Sequence, residues 1–148
     1  MKILLVDDSR KHRQVGVDDL IALGHEVTSL GDYAEAAKLL YRQKFDAALL
    51  DLLMPAEPMM LGDRGLEHLG QPIPVGFPLS ILAANEGVPL VAVATDTNHH
   101  DHPASAIVDW FDKQFVVGGS KVMWMHAPLR ADGAKDWAEV LNRLLQTS

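Results

Sequence analysis

The clearest indication of the fold comes from residues 45–55, Phe-Asp-Ala-Ala-Leu-Leu-Asp-Leu-Leu-Met-Pro. Their first six residues are mostly apolar and are followed at once by an acid, Asp51. Residues 3–6 repeat this pattern, because an apolar run again stops at acids, here Asp7 and Asp8. Short apolar runs of this kind are typical of strands in the middle of a parallel sheet, which are buried on both faces. The sequence therefore predicts two central strands that each end in carboxylates.

The rest of the chain alternates between strand and helix patterns. The predicted strands are residues 3–6, 25–30, 45–50, 88–94 and 121–125, and the predicted helices are residues 10–23, 33–43, 79–86, 104–113 and 136–146. Five strands that alternate with helices imply a parallel sheet with helices on both faces. We therefore predict one α/β domain over residues 1–148, with a doubly wound, flavodoxin-like sheet in the strand order 2-1-3-4-5.

Three segments break the alternation, and we expect insertions after the third and fourth strands. Residues 55–78 hold five prolines and four glycines, so only a short helical turn is expected there, at residues 65–69. Apolar side chains in or beside this stretch either offer a surface to a partner or fill the core, namely those of Met54, Met59, Met60 and Leu61. Residues 97–103 are polar. Residues 115–125 fit either a hairpin or a loop that leads into the fifth strand.

Composition excludes several classes of function. The chain has 148 residues and a formal net charge of −7, so nonspecific binding to nucleic acid or to an anionic membrane is not expected. It has no cysteine, which rules out disulfides and thiolate metal sites and fits a cytoplasmic location. No apolar run approaches the length of a membrane span, and the N-terminus does not resemble a signal peptide.

The acids at the strand ends predict a functional pocket. In the order 2-1-3-4-5 the ligand crevice lies at the carboxyl ends of strands 1 and 3, which here carry Asp7, Asp8 and Asp51, with Thr95 beside them on strand 4. Three converging carboxylates repel one another unless a cation neutralises them or they take up protons, and Mg²⁺ prefers carboxylate and carbonyl ligands. A carboxylate beside Mg²⁺ can attack a phosphoryl group. The simpler interpretation is that these acids only cap helices.

Four segments together resemble the receiver domain of response regulators in two-component signalling. They are ILLVDDS at residues 3–9, ALLDLLMP at 48–55, GLEHL at 65–69 and PLVAVAT at 89–95. The resemblance implies that Asp51 is the phosphoacceptor and that Asp7, Asp8, Asp51 and the backbone carbonyl of Leu53 bind Mg²⁺. It also implies that the Thr95 hydroxyl hydrogen-bonds the phosphoryl group and draws the following loop inward.

Two positions differ from the residues that receiver domains usually carry there. Receiver domains carry a lysine directly before a proline after the fifth strand, but here Ala127 precedes Pro128. We consider His126, Lys121 and Arg130 as substitutes, because they are nearby in sequence. Trp124 falls where the family usually has a switching Tyr or Phe, although a buried core tryptophan is an equally good interpretation.

The histidine-rich segment after strand 4 allows three interpretations. His99, His100, Asp101 and His102 offer ligands suited to Zn²⁺ or another transition metal, but their spacing matches no strong metal motif. We favour a polar loop in which Asp101 or His102 caps a helix that has Pro103 in its first turn. The third interpretation is that these histidines line the acid pocket.

Three functions follow as hypotheses. The first is a stand-alone receiver that accepts a phosphoryl group on Asp51 from a sensor histidine kinase or phosphotransfer protein. No output domain follows residue 148, so it would signal through a separate output protein. Such a domain is not an enzyme beyond autodephosphorylation. The second is a pseudo-receiver, an interaction module that does not cycle phosphate, which the missing lysine favours. The third is a small metal-dependent hydrolase. The sequence does not predict the oligomeric state.

Overall fold

The computed structural model of the protein describes residues 1–57 and 66–146. Its strands are β1 (Lys2–Val6), β2 (Glu26–Leu30), β3 (Ala47–Asp51), β4 (Met54–Pro55), β5 (Pro72–Ile73), β6 (Leu90–Thr95), β7 (Gln114–Val117) and β8 (Ser120–His126). Its helices are α1 (Arg10–Ala22), α2 (Tyr33–Arg42), α3 (Gly76–Asn85), α4 (Ser105–Trp110) and α5 (Trp137–Leu145). None of these helices is long and apolar enough to cross a membrane.

The main sheet has six strands in the order β2-β1-β3-β6-β8-β7. The first five strands in this order are parallel, which confirms the predicted order 2-1-3-4-5. β7 pairs with β8 in the antiparallel direction and covers the edge of the sheet. The predicted hairpin therefore forms, and its second strand is also the fifth parallel strand. β4 and β5 make a separate two-stranded pairing within the insertion after β3.

Apolar side chains on the two faces of the sheet form two cores. On one face, Leu4 and Leu50 lie in a cluster that includes residues of α2, α3 and α4. On the other face, Leu5 and Leu49 pack with residues of α1 and α5, including Trp137. Because successive residues of a strand point to opposite faces, the unbroken apolar runs supply both cores at once.

The helix boundaries follow from local capping. Ser9, Asp32 and Asp136 accept backbone N–H bonds at the starts of α1, α2 and α5. α3 begins at Gly76, three residues before the predicted start, so that Pro78 lies in its first turn, where a missing N–H is tolerated. α4 ends at Trp110 rather than at residue 113. The short helical turn expected at residues 65–69, within the proline-rich stretch, is present at Leu66–His68. Met59, Met60 and Leu61 lie outside the described residues.

Candidate functional site

Three aspartates lie together where β1 and β3 end. The two strands are parallel neighbours in register, with Val6 opposite Leu50, so the acids that follow them share one edge of the sheet. One carboxylate oxygen from each of Asp7, Asp8 and Asp51 lies within 4.8 Å of the others. Asp7 is 0% exposed and Asp51 is 5% exposed, whereas Asp8 is open to solvent. The pocket thus has two buried carboxylates and one exposed carboxylate at its mouth.

A lysine that was not predicted from the sequence neutralises part of the negative charge of these carboxylates. Lys135 is 0% exposed, and its Nζ lies 2.6 Å from Asp51 Oδ1 and 3.1 Å from Asp7 Oδ2. The same ammonium donates to the backbone carbonyl of Ala94 at 3.2 Å and lies 5.1 Å from the centre of the Trp137 ring. Lys135 is therefore the buried counter-ion of the phosphoacceptor candidate.

The loop between β8 and α5 delivers Lys135 to the pocket. Within it, Leu129 forms a β-bridge with Lys135, and Gly133 allows the turn with its positive φ of 82°. Two contacts attach the loop to α1: Arg130 forms an ion pair with Asp19, and Lys11 Nζ donates to the backbone carbonyl of Asp132 at 2.6 Å. The loop is thus built against α1 and re-enters the sheet edge seven residues after Pro128.

Burial and the neighbouring charges together set the protonation of the pocket. Burial raises the pKa of Asp51 well above its ordinary value; Lys135 opposes this, and Asp7 adds to it. Burial acts against the charge on Lys135, but Asp51 and Asp7 outweigh it, so the pKa of Lys135 is raised. One shift favours a proton on the carboxyl and the other keeps the ammonium charged. An added cation would offset the carboxylate charge that the single Lys135 ammonium leaves unbalanced.

The chemistry of the pocket fits a hard divalent cation. Asp7 Oδ2 is buried and accepts no hydrogen bond from the described residues, although the Lys135 ammonium is near. A buried carboxylate oxygen without a donor is a ready metal ligand. Asp7 Oδ1 is already used, since it accepts from the backbone N–H of Ser9 at 2.9 Å. Leu53, whose carbonyl is the fourth predicted ligand, lies between β3 and β4.

Thr95 ends β6 beside the pocket and begins a short chain of hydroxyl groups. Its Oγ1 lies 2.7 Å from Thr97 Oγ1, which lies 2.8 Å from Ser105 Oγ at the start of α4. Thr95 also accepts from the backbone N–H of Thr97 at 3.2 Å. The Thr95 hydroxyl is therefore connected to α4 through two side-chain contacts.

The fold of this chain is shared by several solved structures. No model of a known protein family matches the chain, and no curated protein matches it. The chemotaxis response regulator CheY4 of Vibrio cholerae is similar at 21% identity and a TM-score of 0.57, over 97% of this chain and 98% of that one. The chain has the receiver-domain fold.

Two further receiver structures are similar in the same way, and both contain magnesium. The response regulator TrrA of Thermotoga maritima, in complex with Mg²⁺-BeF, is 18% identical with a TM-score of 0.60, over 97% of this chain and 98% of that one. The receiver domain of a sensor histidine kinase from Pseudomonas aeruginosa has magnesium coordinated in its active-site cleft. It is 19% identical with a TM-score of 0.57, over 97% of this chain and 93% of that one.

The three predicted substitutes for the family lysine are engaged elsewhere in this receiver fold. Lys121 Nζ donates to the carbonyls of Leu144 and Gln146 at the end of α5. Arg130 pairs with Asp19, and His126 Nε2 contacts Asp109. The prediction of these residues was therefore wrong, because nearness to Pro128 in sequence does not bring their side chains to the acids. The sequence around Lys135 shows only that this lysine directly precedes a capping aspartate and a core tryptophan, which does not bring its side chain to the acids.

The histidine-rich segment forms a polar loop outside the pocket. Asn98 organises it, since its side-chain oxygen accepts from the backbone N–H groups of His100 and Asp101. His102 Nδ1 accepts from the N–H of Ala104, but Pro103 precedes α4 instead of lying in its first turn. Among the described residues, the cluster with metal-binding geometry is the aspartate triad, and it includes no histidine.

His99 contacts another element of the receiver fold. Its Nδ1 lies 3.0 Å from Asp109 Oδ2 on α4, and the other oxygen of that carboxylate contacts His126 at the end of β8. These hydrogen bonds, led by the one with His126, lower the pKa of Asp109 below its ordinary value. The segment is therefore held to the sheet by a shared carboxylate.

Trp124 lies in an aromatic cluster between α3, α4 and the edge hairpin. Its ring centre is 4.4 Å from that of Phe77, 5.1 Å from that of Phe115 and 5.5 Å from that of Phe111. Its Nε1 donates to Ser80 Oγ on α3 at 3.2 Å. The side chain is partly buried, so it packs against the core while remaining on the strand next to Thr95.

Proposed function

We propose that the protein is a stand-alone receiver-like signalling domain that accepts a phosphoryl group on Asp51 with the help of Mg²⁺. The observation that carries this proposal is the Lys135 ammonium, fully buried and 2.6 Å from Asp51 Oδ1. A buried aspartate beside a fixed ammonium and a second pair of acids can hold a divalent cation, and the cation and the ammonium together would offset the charge of a phosphoryl group. The receiver-domain fold supports a role in two-component signalling.

The residues divide the chemistry among them. A carboxylate oxygen of Asp51 attacks the phosphorus, a new O–P bond forms, and the donor leaves with the electrons of the old bond. Lys135 donates a charge-assisted hydrogen bond to a phosphoryl oxygen, because its Nζ already lies beside the attacking group. Asp7, Asp8, Asp51 and the Leu53 carbonyl would hold Mg²⁺. The ion would supply positive charge against the phosphoryl oxygens.

The hydroxyl chain gives this domain a route from the pocket to α4. When Thr95 turns to hydrogen-bond a phosphoryl oxygen, its Oγ1 leaves the 2.7 Å contact with Thr97. Thr97 then loses one partner and retains the contact with Ser105 on α4. A change in phosphorylation is thereby converted into a change in the loop before α4. The phosphoryl group would come from a sensor histidine kinase or phosphotransfer protein, and the output would pass to a separate protein.

The pseudo-receiver hypothesis loses its main argument in this structure. It rested on the absence of a lysine beside the phosphoacceptor, and Lys135 now supplies that ammonium from a longer loop. The remaining distinction between the two hypotheses is chemical, namely whether Asp51 accepts a phosphoryl group.

Asp51→Asn is expected to abolish phosphoryl addition. We would incubate the protein with acetyl phosphate and Mg²⁺ and measure its intact mass, beside an Asp18→Asn control. Asp18 is an exposed residue of α1 that contacts Gln14, so its substitution should leave phosphorylation unchanged. The wild type and the control should each gain one phosphoryl group. No gain in the wild type, under conditions where Mg²⁺ binding is shown, would instead support the pseudo-receiver.

Mg²⁺ is expected to stabilise the wild type and to have little effect on Asp8→Asn. A ligand at ten times its dissociation constant adds about 1.4 kcal/mol to the free energy of unfolding. Asp8 is exposed, so its substitution removes a ligand without disturbing the core. The measurement is thermal unfolding with and without Mg²⁺, again with Asp18→Asn as the control. Equal stabilisation of the wild type, Asp8→Asn and Asp18→Asn would show that Mg²⁺ binds at a site other than the aspartate triad.

A further inference from the structure

His12 of α1 contacts two segments that lie near the Lys135 ammonium. Its side chain is 13% exposed. One ring nitrogen, Nδ1, lies 3.0 Å from the backbone N of Lys135, and the other, Nε2, lies 3.0 Å from Asp96 Oδ2. Asp96 directly follows Thr95, and Lys135 ends the loop after β8. One imidazole thus contacts both the residue beside the switch threonine and the backbone that presents the buried ammonium.

The two partners determine which ring nitrogen of His12 carries the proton. A backbone N–H only donates, so Nδ1 must be the acceptor of the bond from Lys135. The proton of the neutral ring is therefore on Nε2, which donates to the carboxylate of Asp96. A doubly protonated ring would place an N–H against the N–H of Lys135. The geometry is accordingly that of a neutral imidazole in the Nε2–H form.

The backbone bond at His12 fixes the point from which the Lys135 side chain extends. That side chain spans from His12 to Asp51, where its Nζ makes the 2.6 Å contact. Asp96 Oδ1 also lies 4.0 Å from the same Nζ, so the second partner of His12 stands near the ammonium as well. A shift of the backbone at residue 135 would move the ammonium by a similar amount.

We propose that His12 is a positioning residue that sets the Lys135 ammonium against Asp51 by accepting the backbone N–H of Lys135. The proposal rests on the proposed phosphoacceptor function, because the ammonium acts there. His12 does not touch the phosphoryl group, and its bond with Asp96 orients the imidazole so that Nδ1 faces the loop.

Two substitutions separate the two hydrogen bonds of His12. In His12→Asn the side-chain oxygen can replace Nδ1 as the acceptor of the bond from the Lys135 backbone N–H. In His12→Gln the side-chain nitrogen can replace Nε2 as the donor to Asp96. We expect His12→Gln to slow phosphorylation by acetyl phosphate roughly ten- to a hundredfold, the effect of a small misplacement of a reacting group. We expect His12→Asn to keep most of the wild-type rate. Equal losses in the two variants, no loss in either, or a loss confined to His12→Asn would each overturn the proposal.

A second measurement decides the proposal independently of phosphorylation. Long-range ¹⁵N–¹H spectra of the imidazole should show His12 as the neutral Nε2–H form, and the buried ammonium of Lys135 should give a slowly exchanging ¹⁵Nζ signal. That signal should persist in His12→Asn and disappear in His12→Gln, with similar unfolding midpoints for the two variants. A proton on Nδ1, or a Lys135 signal unchanged in both variants, would refute the positioning role. If the wild type accepts no phosphoryl group, the proposed function fails while these spectra still decide the contacts of His12.

Discussion

The Lys135→Met variant is expected to have a free energy of unfolding about 3–5 kcal/mol lower than that of the wild type, because removing one partner of a buried ion pair leaves an uncompensated charge. Lys135 is fully buried and contacts both buried carboxylates of the pocket. Methionine matches the length of the lysine stem but has no charge, so Asp7 and Asp51 would face each other without the ammonium. Chemical denaturation in the absence of Mg²⁺ measures the loss.

A second substitution tests whether this loss comes from charge. Adding Asp51→Asn to Lys135→Met removes one of the stranded carboxylates, so the double variant should recover part of the stability of the single one. Lys121→Met is the control: Lys121 is a half-buried lysine, and its partners are the backbone carbonyls of Leu144 and Gln146 instead of carboxylates. We expect it to cost about 1 kcal/mol. Equal costs at both lysines would show that the Lys135 effect is one of packing.

Gly76→Ala is expected to be the second most damaging change. It should lower the free energy of unfolding by about 1–3 kcal/mol or more and markedly decrease the rate of phosphorylation. A Cβ at Gly76 would lie 2.4 Å from the Asp51 carbonyl oxygen and 2.8 Å from Leu52 Cα. Both are backbone atoms, which cannot rotate out of the way. The end of β3 must therefore shift, and the Asp51 carboxylate shifts with it. Denaturation and the mass assay would be measured on the same sample.

Gly87→Ala is the matched control for Gly76→Ala, since it is the same substitution just beyond the other end of α3. Gly87 has a φ of 84°, and apart from its chain neighbours no atom of residues 1–57 or 66–146 lies within 4 Å of the position that an added Cβ would take. Its alanine variant is therefore strained only by the backbone conformation. We expect about 1 kcal/mol of destabilisation and a normal rate of phosphorylation. A normal rate in Gly76→Ala as well would mean that β3 tolerates the added methyl group.

The parts of the fold that local sequence patterns encode were predictable. Apolar runs that stop at acids identified β1 and β3, and the alternation with helices gave the order of the five parallel strands. The same reasoning placed Asp7, Asp8 and Asp51 at one edge. The added edge strand β7 was ambiguous, because a hairpin and a loop before a strand share the same glycine pair.

The position of Lys135 could not be read from local patterns. Its loop is held by Lys11 and Asp19 on α1, which are more than a hundred residues away in sequence. Such a path depends on tertiary contacts between particular side chains, and neither periodicity nor turn residues report them. The substitutes considered were chosen for their nearness to Pro128 in sequence, whereas the lysine that reaches the pocket follows a turn and a β-bridge.

The separation in sequence between the acids of the pocket and their counter-ion determines when the site is completed during synthesis. Asp51 precedes Lys135 by 84 residues and Asp7 lies earlier still, so the acids at the ends of β1 and β3 leave the ribosome long before their counter-ion. Domains fold as units during synthesis, and contacts of long sequence separation form late. A nascent chain that has not yet reached residue 135 therefore carries all three carboxylates without the ammonium. The site becomes electrostatically complete only when the loop between β8 and α5 has been made.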